Sequence, residues 1–335
     1  VCGLLIKQIT DEYGDDIVIA ATRASVPYTH LEELLGHRIV WLENPNDIWK
    51  RKEEFADRNL ILHTGWVYPG WLKYDRYMRT KTRAQSVALV DNRFRGDIRQ
   101  YIGAIYFRIF LRKRFDAAFV PGKQGACLLR FLGMNPARIY TGLYGAYEGI
   151  FQETVPIRER ANEFLFVGQL IKRKSLDTLI AAFRAYRAEG GTWNLRIIGD
   201  GPLAPIVTGE GVSLSPFTQP EDLVARMNGA KVFVLPSRDD NWATVVCEAA
   251  ACGMHLITST SVGSSDDLVR TGENGIVLPA VTVPSITEAL FSYEGASDAM
   301  LEAGSRISKE MAGAFTSGRF AESFHTIVRD LFPRS

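Results

Sequence analysis

The stretch PSRDDNWATVVCEAAACG (residues 236–253) sets an acidic loop against a segment of small and apolar residues. It follows the apolar run KVFVL, as a loop follows a buried strand. Asp240 and Glu248 lie eight positions apart, and on one continuous helix about 12 Å of rise would separate them. They meet at a common small ligand only if Asp240 sits in a strand-to-helix loop and Glu248 projects from the helix beyond. SRDDNW supplies such a loop, because Ser, Asp and Asn favour turns and helix N-caps. The N–H groups at the helix start attract an anion such as phosphate. The plainer alternative has Asp240 or Asn241 merely capping the helix and Glu248 on the surface. VVCEAAACG is too apolar and small for a surface helix.

The elements that position these residues follow a repeated pattern. From Asp16, short β-branched runs (DIVIAA, RIVWL, LILH, SVALV, AAFVP) alternate with segments of helical period. A second series begins near Glu163: FLFVG, a helix through SLDTLIAAFRAYRAE, NLRIIG, VSLSPF, a helix near EDLVARMN, KVFVL, the helix holding Glu248, HLITS and GIVLP. Such βα alternation predicts parallel sheets covered on both faces. The polar segment FQETVPIRERAN between the series reads as a linker. The last stretch, GRFAESFHTIVRDLF, reads as an amphipathic helix. The opening VCGLLIKQITDEYGD reads as a helix with Leu4, Leu5 and Ile9 on one face, and a helix ahead of the first strand predicts a further strand upstream. Two doubly wound lobes would enclose a cleft, and such sheets bind ligands outside the carboxyl ends of their strands.

At 335 residues and 46% apolar content the chain reads as globular, with room for two domains. No stretch reaches the roughly 18 apolar residues of a membrane span, and the opening residues do not read as a signal peptide. The four cysteines form no CxxC and no zinc spacing. Cys247 and Cys252 read as small buried hydrophobes, which favours a reducing compartment. Net charge is +1, with a basic excess in the first half and an acidic one in the second. The basic half suggests steering of an anionic partner.

On the residues already quoted, the segment from KVFVLPSRDDNW to GENGIVLP resembles the donor-domain signature of family 4 retaining glycosyltransferases, which have the GT-B fold. FLFVGQLIKRKSLDTLIAAF and IIGDGP are similar to two further motifs of that family, in the same order. The resemblance covers residues 164–279 and extends to the N-terminal half only in layout. It implies an α/β protein with two Rossmann-like doubly wound domains and an interdomain cleft. Residues 1–152 would bind acceptor, 153–315 would bind a nucleotide-sugar donor, and the helix at 316–335 would pack back on the N-terminal domain.

The resemblance also implies roles. Glu248 would accept hydrogen bonds from ribose hydroxyls, Asp240 would sit by the transferred sugar, and Lys174 would meet the diphosphate as charge develops on the leaving group. Gly168, Gln169 and Asp200 belong to the motifs around the nucleotide. Gln169 stands where the family has Arg and supplies no charge, so Arg173 or Lys172 would compensate. Alternatively, IKRK is a solvated charge run. Asn241, Trp242, Ala243 and Thr244 would shape the sugar pocket, and Phe217 and Thr218 fall in the base-contacting region. Asp91, after SVALV, stands where the family carries a catalytic histidine and could polarise an acceptor hydroxyl; alternatively VDN is only a turn. Asn92 and Arg93 adjoin it. His63 is a second candidate at the same edge, with Trp66 nearby. No metal is implied, since RDDN is not a DxD pair, and no cofactor, since the nucleotide sugar is a substrate.

GWVYPGWLKYDRYMRTKTR (residues 65–83) and YFRIFLRKRF interleave aromatic and basic residues. They could seat the protein on a cytoplasmic membrane face or hold a lipid-linked acceptor, or simply pack aromatics inward. The leading expectation is a cytoplasmic, UDP-sugar-dependent retaining glycosyltransferase acting on a glycan or lipid-linked acceptor. The alternative is a non-catalytic relative that binds a nucleotide or glycan. A nicotinamide dehydrogenase would need GxGxxG, and IIGDGP has only GxG. A sugar-nucleotide epimerase shares the architecture but would not be expected to carry the acidic block after PS. No nucleic-acid module is present.

Overall fold

A computed structural model describes residues 2–22 and 31–333, which form two compact units. Unit 1 comprises the chain to Tyr144 together with the segment from Ser317; unit 2 is Gly145–Thr316. The first division therefore falls at Tyr144, not at 152.

Unit 1 contains β1 (Ile19–Thr22) and β2 (Ile39–Leu42), paired in parallel, and a parallel sheet in sequential order of β3 (Leu60–His63), β4 (Gln85–Leu89), β5 (Ala117–Val120) and β6 (Ile139–Thr141). Its helices are α1 (Cys2–Tyr13), α2 (Leu31–Leu35), α3 (Pro69–Lys81), α4 (Ile98–Tyr106), α5 (Lys123–Leu132) and, from the far end of the chain, α12 (Ser317–Leu331). The side chains of Leu4 and Leu5, expected on the buried face of α1, lie outside the described residues, whereas Ile9 is buried as expected.

The period-2 geometry of a strand sends successive side chains to opposite faces. Accordingly Val87, Ala117 and Phe119 pack under α12, while Ala88, Ala118 and Val120 pack under Leu128, Leu129 and Leu132 of α5. The amphipathic α12 brings Phe320, Ala321, Phe324 and Ile327 to the first face, with the Phe320 ring 5.3 Å from that of Phe119. Tyr140 donates to Asp330 at 2.7 Å and Ser323 to the Thr141 carbonyl at 2.9 Å.

The aromatic residues of α3 turn inward. Tyr74 and Met78 are buried, and Trp71 and Tyr77 pack against the same cluster of Leu42, Ile48 and Ile61. Within residues 65–83, α3 therefore packs its aromatic side chains inward, with Lys73, Arg76 and Lys81 exposed on its other side.

Unit 2 is one parallel sheet of β7 (Ala161–Val167), β8 (Asn194–Ile198), β9 (Val212–Ser215), β10 (Ala230–Leu235), β11 (His255–Ser259) and β12 (Gly275–Leu278). Their order is β12-β11-β10-β7-β8-β9. Its helices are α6 (Leu176–Ala188), α7 (Pro220–Met227), α8 (Thr244–Ala251), α9 (Ser265–Leu268), α10 (Val283–Phe291) and α11 (Asp298–Ala312). The chain winds outward from β7 through β8 to β9, then returns beside β7 with β10 and winds the other way. Every residue of β10 is buried, as expected for a strand covered on both faces.

The segment expected as a linker is part of unit 2. Phe151 and Ile157 are buried, and Arg160 donates to the carbonyls of Val155 at 2.9 Å and Cys252 at 2.7 Å. Asn228 accepts from the Thr154 N–H at 2.8 Å and donates to the Gln152 carbonyl at 3.0 Å. Most of its polar side chains are exposed, but its backbone and Arg160 bond into unit 2.

Candidate functional site

In a parallel sheet all carboxyl ends lie on one edge, so the loops after β7, β8, β9, β10 and β11 share that edge of unit 2. The winding reverses between β7 and β10, and the loops leaving these adjacent strands diverge to opposite faces, which opens a crevice there. The side chains of Lys174, after β7, and Asp240, after β10, form an ion pair across this point. The same two loops are joined twice more: the Arg173 guanidinium donates to the Asp239 carbonyl at 2.7 Å, and the Arg238 N–H donates to the Arg173 carbonyl at 2.9 Å.

Asp240 is also fixed through its backbone. Its N–H donates to the Ser261 carbonyl at 3.0 Å, and its carbonyl accepts from the Gly263 N–H at 2.9 Å. The approach is so close that a Cβ on Gly263 would stand 1.8 Å from the Asn241 carbonyl oxygen. Asp240 is 7% exposed, and its carboxylate faces a cation. An ammonium has three donors, so Lys174 can hold Asp240 and still reach an anion.

Glu248 lies on α8, in the turn after its start, and is 4% exposed. Burial pushes its carboxyl up to about 7. The plainer alternative, capping of α8 by Asp240 or Asn241, does not occur: Ala243 occupies the N-cap, with no side-chain capping bond. Trp242 is buried and packs its ring 5.1 Å from Phe315, Ala243 is buried, and Asn241 and Thr244 are half-buried.

The loops after β7, β8 and β9 interlock. Gly168 N–H donates to the Ile198 carbonyl at 3.0 Å, Leu170 N–H to the Asp200 carbonyl at 2.9 Å, and Phe217 N–H to the Asp200 carboxylate at 2.9 Å. Gly199 has φ +145°, and a Cβ there would stand 2.0 Å from the Gly168 carbonyl oxygen, so only glycine fits. Gln169, Lys172 and Arg173 are exposed, and Phe217 is 44% exposed beside half-buried Thr218. Arg173, through Asp239, is the one of the two basic candidates that the structure ties to the β10 loop.

Sequence reasoning did not single out Ser175, Ser237 and Ser264. Each is buried on this edge, with a hydroxyl that finds no hydrogen-bond partner among the described residues. The one available signal was the Pro-Ser pair opening the acidic loop. Ser175 also holds a left-handed conformation, φ 57°, at the start of α6, and non-glycine residues held there often mark functional sites.

In unit 1, Asp91 and Asn92 are exposed after β4, and Arg93 is half-buried. The Gln100 side chain organises this loop, accepting from the N–H groups of Arg95 at 2.8 Å and Gly96 at 3.1 Å and donating to the Arg93 carbonyl at 2.8 Å. His63 is 3% exposed, stacked on Trp71 with ring centroids 5.8 Å apart and 5.4 Å from Phe115. Burial lowers its pKa to about 4, so it is neutral at pH 7. Trp66 packs edge-on against Phe107 at 4.9 Å. Asp91, Asn92, His63 and Trp66 all line one cavity of 1340 Å³ within unit 1.

Comparison with known proteins bears on the same segment. Residues 161–293 match the family model described as glycosyl transferases group 1. The matched segment begins with β7 and ends with α10, and so contains both the Lys174–Asp240 pair and Glu248.

The putative teichuronic acid biosynthesis glycosyltransferase TuaC of Bacillus subtilis is 24% identical over 262 residues, 77% of this chain and 60% of TuaC. The exopolysaccharide phosphotransferase SCO2592 of Streptomyces coelicolor is 26% identical over 173 residues, 50% of this chain and 18% of that protein. This chain therefore spans less than two thirds of either relative. Among solved structures, Anabaena Alr3699/HepE in complex with UDP and glucose superposes with a TM-score of 0.75 at 12% identity, over 98% of this chain and 95% of that one. The fold is α/β with parallel sheets and matches GT-B glycosyltransferases. No helix among the described residues is long and apolar enough to cross a membrane.

Proposed function

We propose that the protein is a retaining glycosyltransferase of family 4 type, a hexosyltransferase that moves a sugar from a UDP-sugar to a hydroxyl of a glycan or lipid-linked acceptor in surface polysaccharide synthesis. The observation that carries this reading is the Lys174–Asp240 pair at the point where unit 2 reverses its winding, with Glu248 buried on the helix that follows. Lys174 and the uncapped start of α8 would meet the diphosphate and take up charge as the leaving group departs. Asp240 would bind hydroxyls of the sugar, and Glu248 would accept from the ribose hydroxyls. Arg173 would supply the second positive charge that Gln169 lacks. Transfer would proceed on the front face of the sugar, with the departing phosphate helping to remove the acceptor proton, and would require no metal and no cofactor. Asp91 is the acceptor-side residue, because His63 is packed in a core while Asp91 is exposed. That HepE was crystallised with UDP and glucose supports UDP as the nucleotide.

A non-catalytic nucleotide-binding reading is favoured by Gln169 in place of Arg. The test is to incubate the protein with UDP-glucose and related donors in EDTA and follow sugar release or transfer. Asp91→Asn is expected to lower turnover at least about tenfold while leaving UDP affinity unchanged. Turnover that survives this substitution would remove Asp91 from the mechanism. UDP binding without release or transfer by the unsubstituted protein would favour the non-catalytic reading. An axial product from an axial donor, read by NMR coupling constants, would establish retention, and an inverted product would refute it.

A further inference from the structure

The segment IRQYIGAIYFRIFLRKR, residues 98–114, carries large apolar side chains on more than one side, and apolar groups so placed belong in a core or in lipid. It forms α4 and a π-helical turn, Phe107–Leu111, that continues it. One side is accounted for: Ala104, Phe107 and Leu111 are buried against the strands and α5. The other side faces solvent. Ile98 is 75% exposed, and Ile102, Ile105 and Ile109 each exceed 60%. Tyr101, Tyr106 and Phe110 are more than half exposed beside them. Twelve large hydrophobic side chains are exposed among the described residues, and seven fall in this one run. Scattered apolar exposure needs no explanation, but a contiguous face of this kind marks an interaction surface.

The charges say which kind. Arg99 lies near the start of the segment, and Arg108, Arg112 and Lys113 are exposed near its end. Its nearest acidic neighbour is Asp97, whose carboxylate caps α4 by accepting from the Gln100 N–H at 2.9 Å. Isoleucines with tyrosines on the apolar face and cations at both ends fit an anionic bilayer interface, where apolar groups enter the acyl boundary and cations meet lipid phosphates. A nine-residue helix is too short to cross, so it lies in the plane of the interface. We infer that α4 and the turn after it are a membrane-docking face that seats the protein on anionic lipid. This goes beyond the transfer reading and does not depend on it. Of the two stretches that the sequence offered for such a role, it keeps YFRIFLRKRF (residues 106–115), extends it back to residue 98, and leaves out residues 65–83.

The test is flotation of the whole protein with vesicles of phosphatidylcholine alone, and with vesicles of phosphatidylcholine and phosphatidylglycerol in equal parts. The variants are Ile105→Glu/Ile109→Glu and Arg112→Gln/Lys113→Gln. All four side chains are exposed, so thermal unfolding of both variants should match the original and separate misfolding from lost docking. The expected result is partitioning onto the mixed vesicles that weakens with salt and falls at least about tenfold in each variant. No partitioning onto mixed vesicles, or equal partitioning by the variants, overturns the inference. So does a dimer in solution that the Ile105→Glu/Ile109→Glu variant dissolves, because a second copy would then be what covers this face.

Discussion

Glu248 is a buried carboxyl on α8. A carboxyl buried to 4% exposure with its pKa raised to about 7 is costly to keep ionised, and it becomes economical once hydroxyl donors from a ligand surround it. Two consequences follow from the sign of the shift. Between the ordinary value of 4.5 and about 7 the folded protein holds a proton that the unfolded chain has released, so stability falls as pH rises through that window, by up to about 3 kcal/mol. Glu248→Gln should flatten this slope in urea denaturation series at pH 5 and 8. If ribose hydroxyls donate to the carboxylate, nucleotide binding expels the proton, and UDP affinity should rise from pH 5.5 to 8 more steeply than in Glu248→Gln, which shares the nucleotide's own titration. Parallel pH profiles for the two proteins would detach Glu248 from the ribose. At Lys174, replacement by Ala should weaken UDP at least about tenfold and uridine far less, since the lost partner is phosphate. Equal losses for the two ligands would place the ammonium elsewhere.

At the scale of elements, two supports can be tested by stability. Arg160 ties the segment before β7 to the carbonyls of Met227, Ala230 and Cys252, and Arg160→Ala removes their guanidinium donor. A cost of about 2–4 kcal/mol in urea denaturation is expected; a cost near zero would make the segment a linker after all. Phe320→Ala on α12 should cost about 3–5 kcal/mol, the usual penalty for emptying a buried phenylalanine site. Much of this architecture was legible. The strands from DIVIAA to GIVLP declared themselves by short β-branched runs, and the acidic block declared the loop after β10. What was hidden depended on partners far away in sequence. FQETVPIRERAN looked like a linker because its polar atoms bond to Asn228, Cys252 and their neighbours, which no local pattern records. The aromatic-basic pattern of residues 65–83 looked like a surface because inward and outward faces are interleaved in sequence. The stacking of His63 on Trp71 joins residues eight positions apart that no local pattern links. β6 is only three residues long, too short for its period to register. The three unpartnered serines are too common a residue type to stand out without their surroundings.

At the scale of the whole molecule, the chain crosses from one unit to the other and returns, since α12 belongs with the first unit. The chemistry proposed for unit 2 would be assembled from loops after all but one of its strands, and the order of those strands decides where the loops meet. We propose that the nucleotide sugar binds at the winding reversal between β7 and β10. The most direct test is calorimetric titration of the protein with UDP in EDTA, alongside Glu248→Ala. The account predicts metal-free binding by the unsubstituted protein and at least about a tenfold loss of affinity in the variant. Absent binding by the unsubstituted protein, or equal binding by the two, would contradict it.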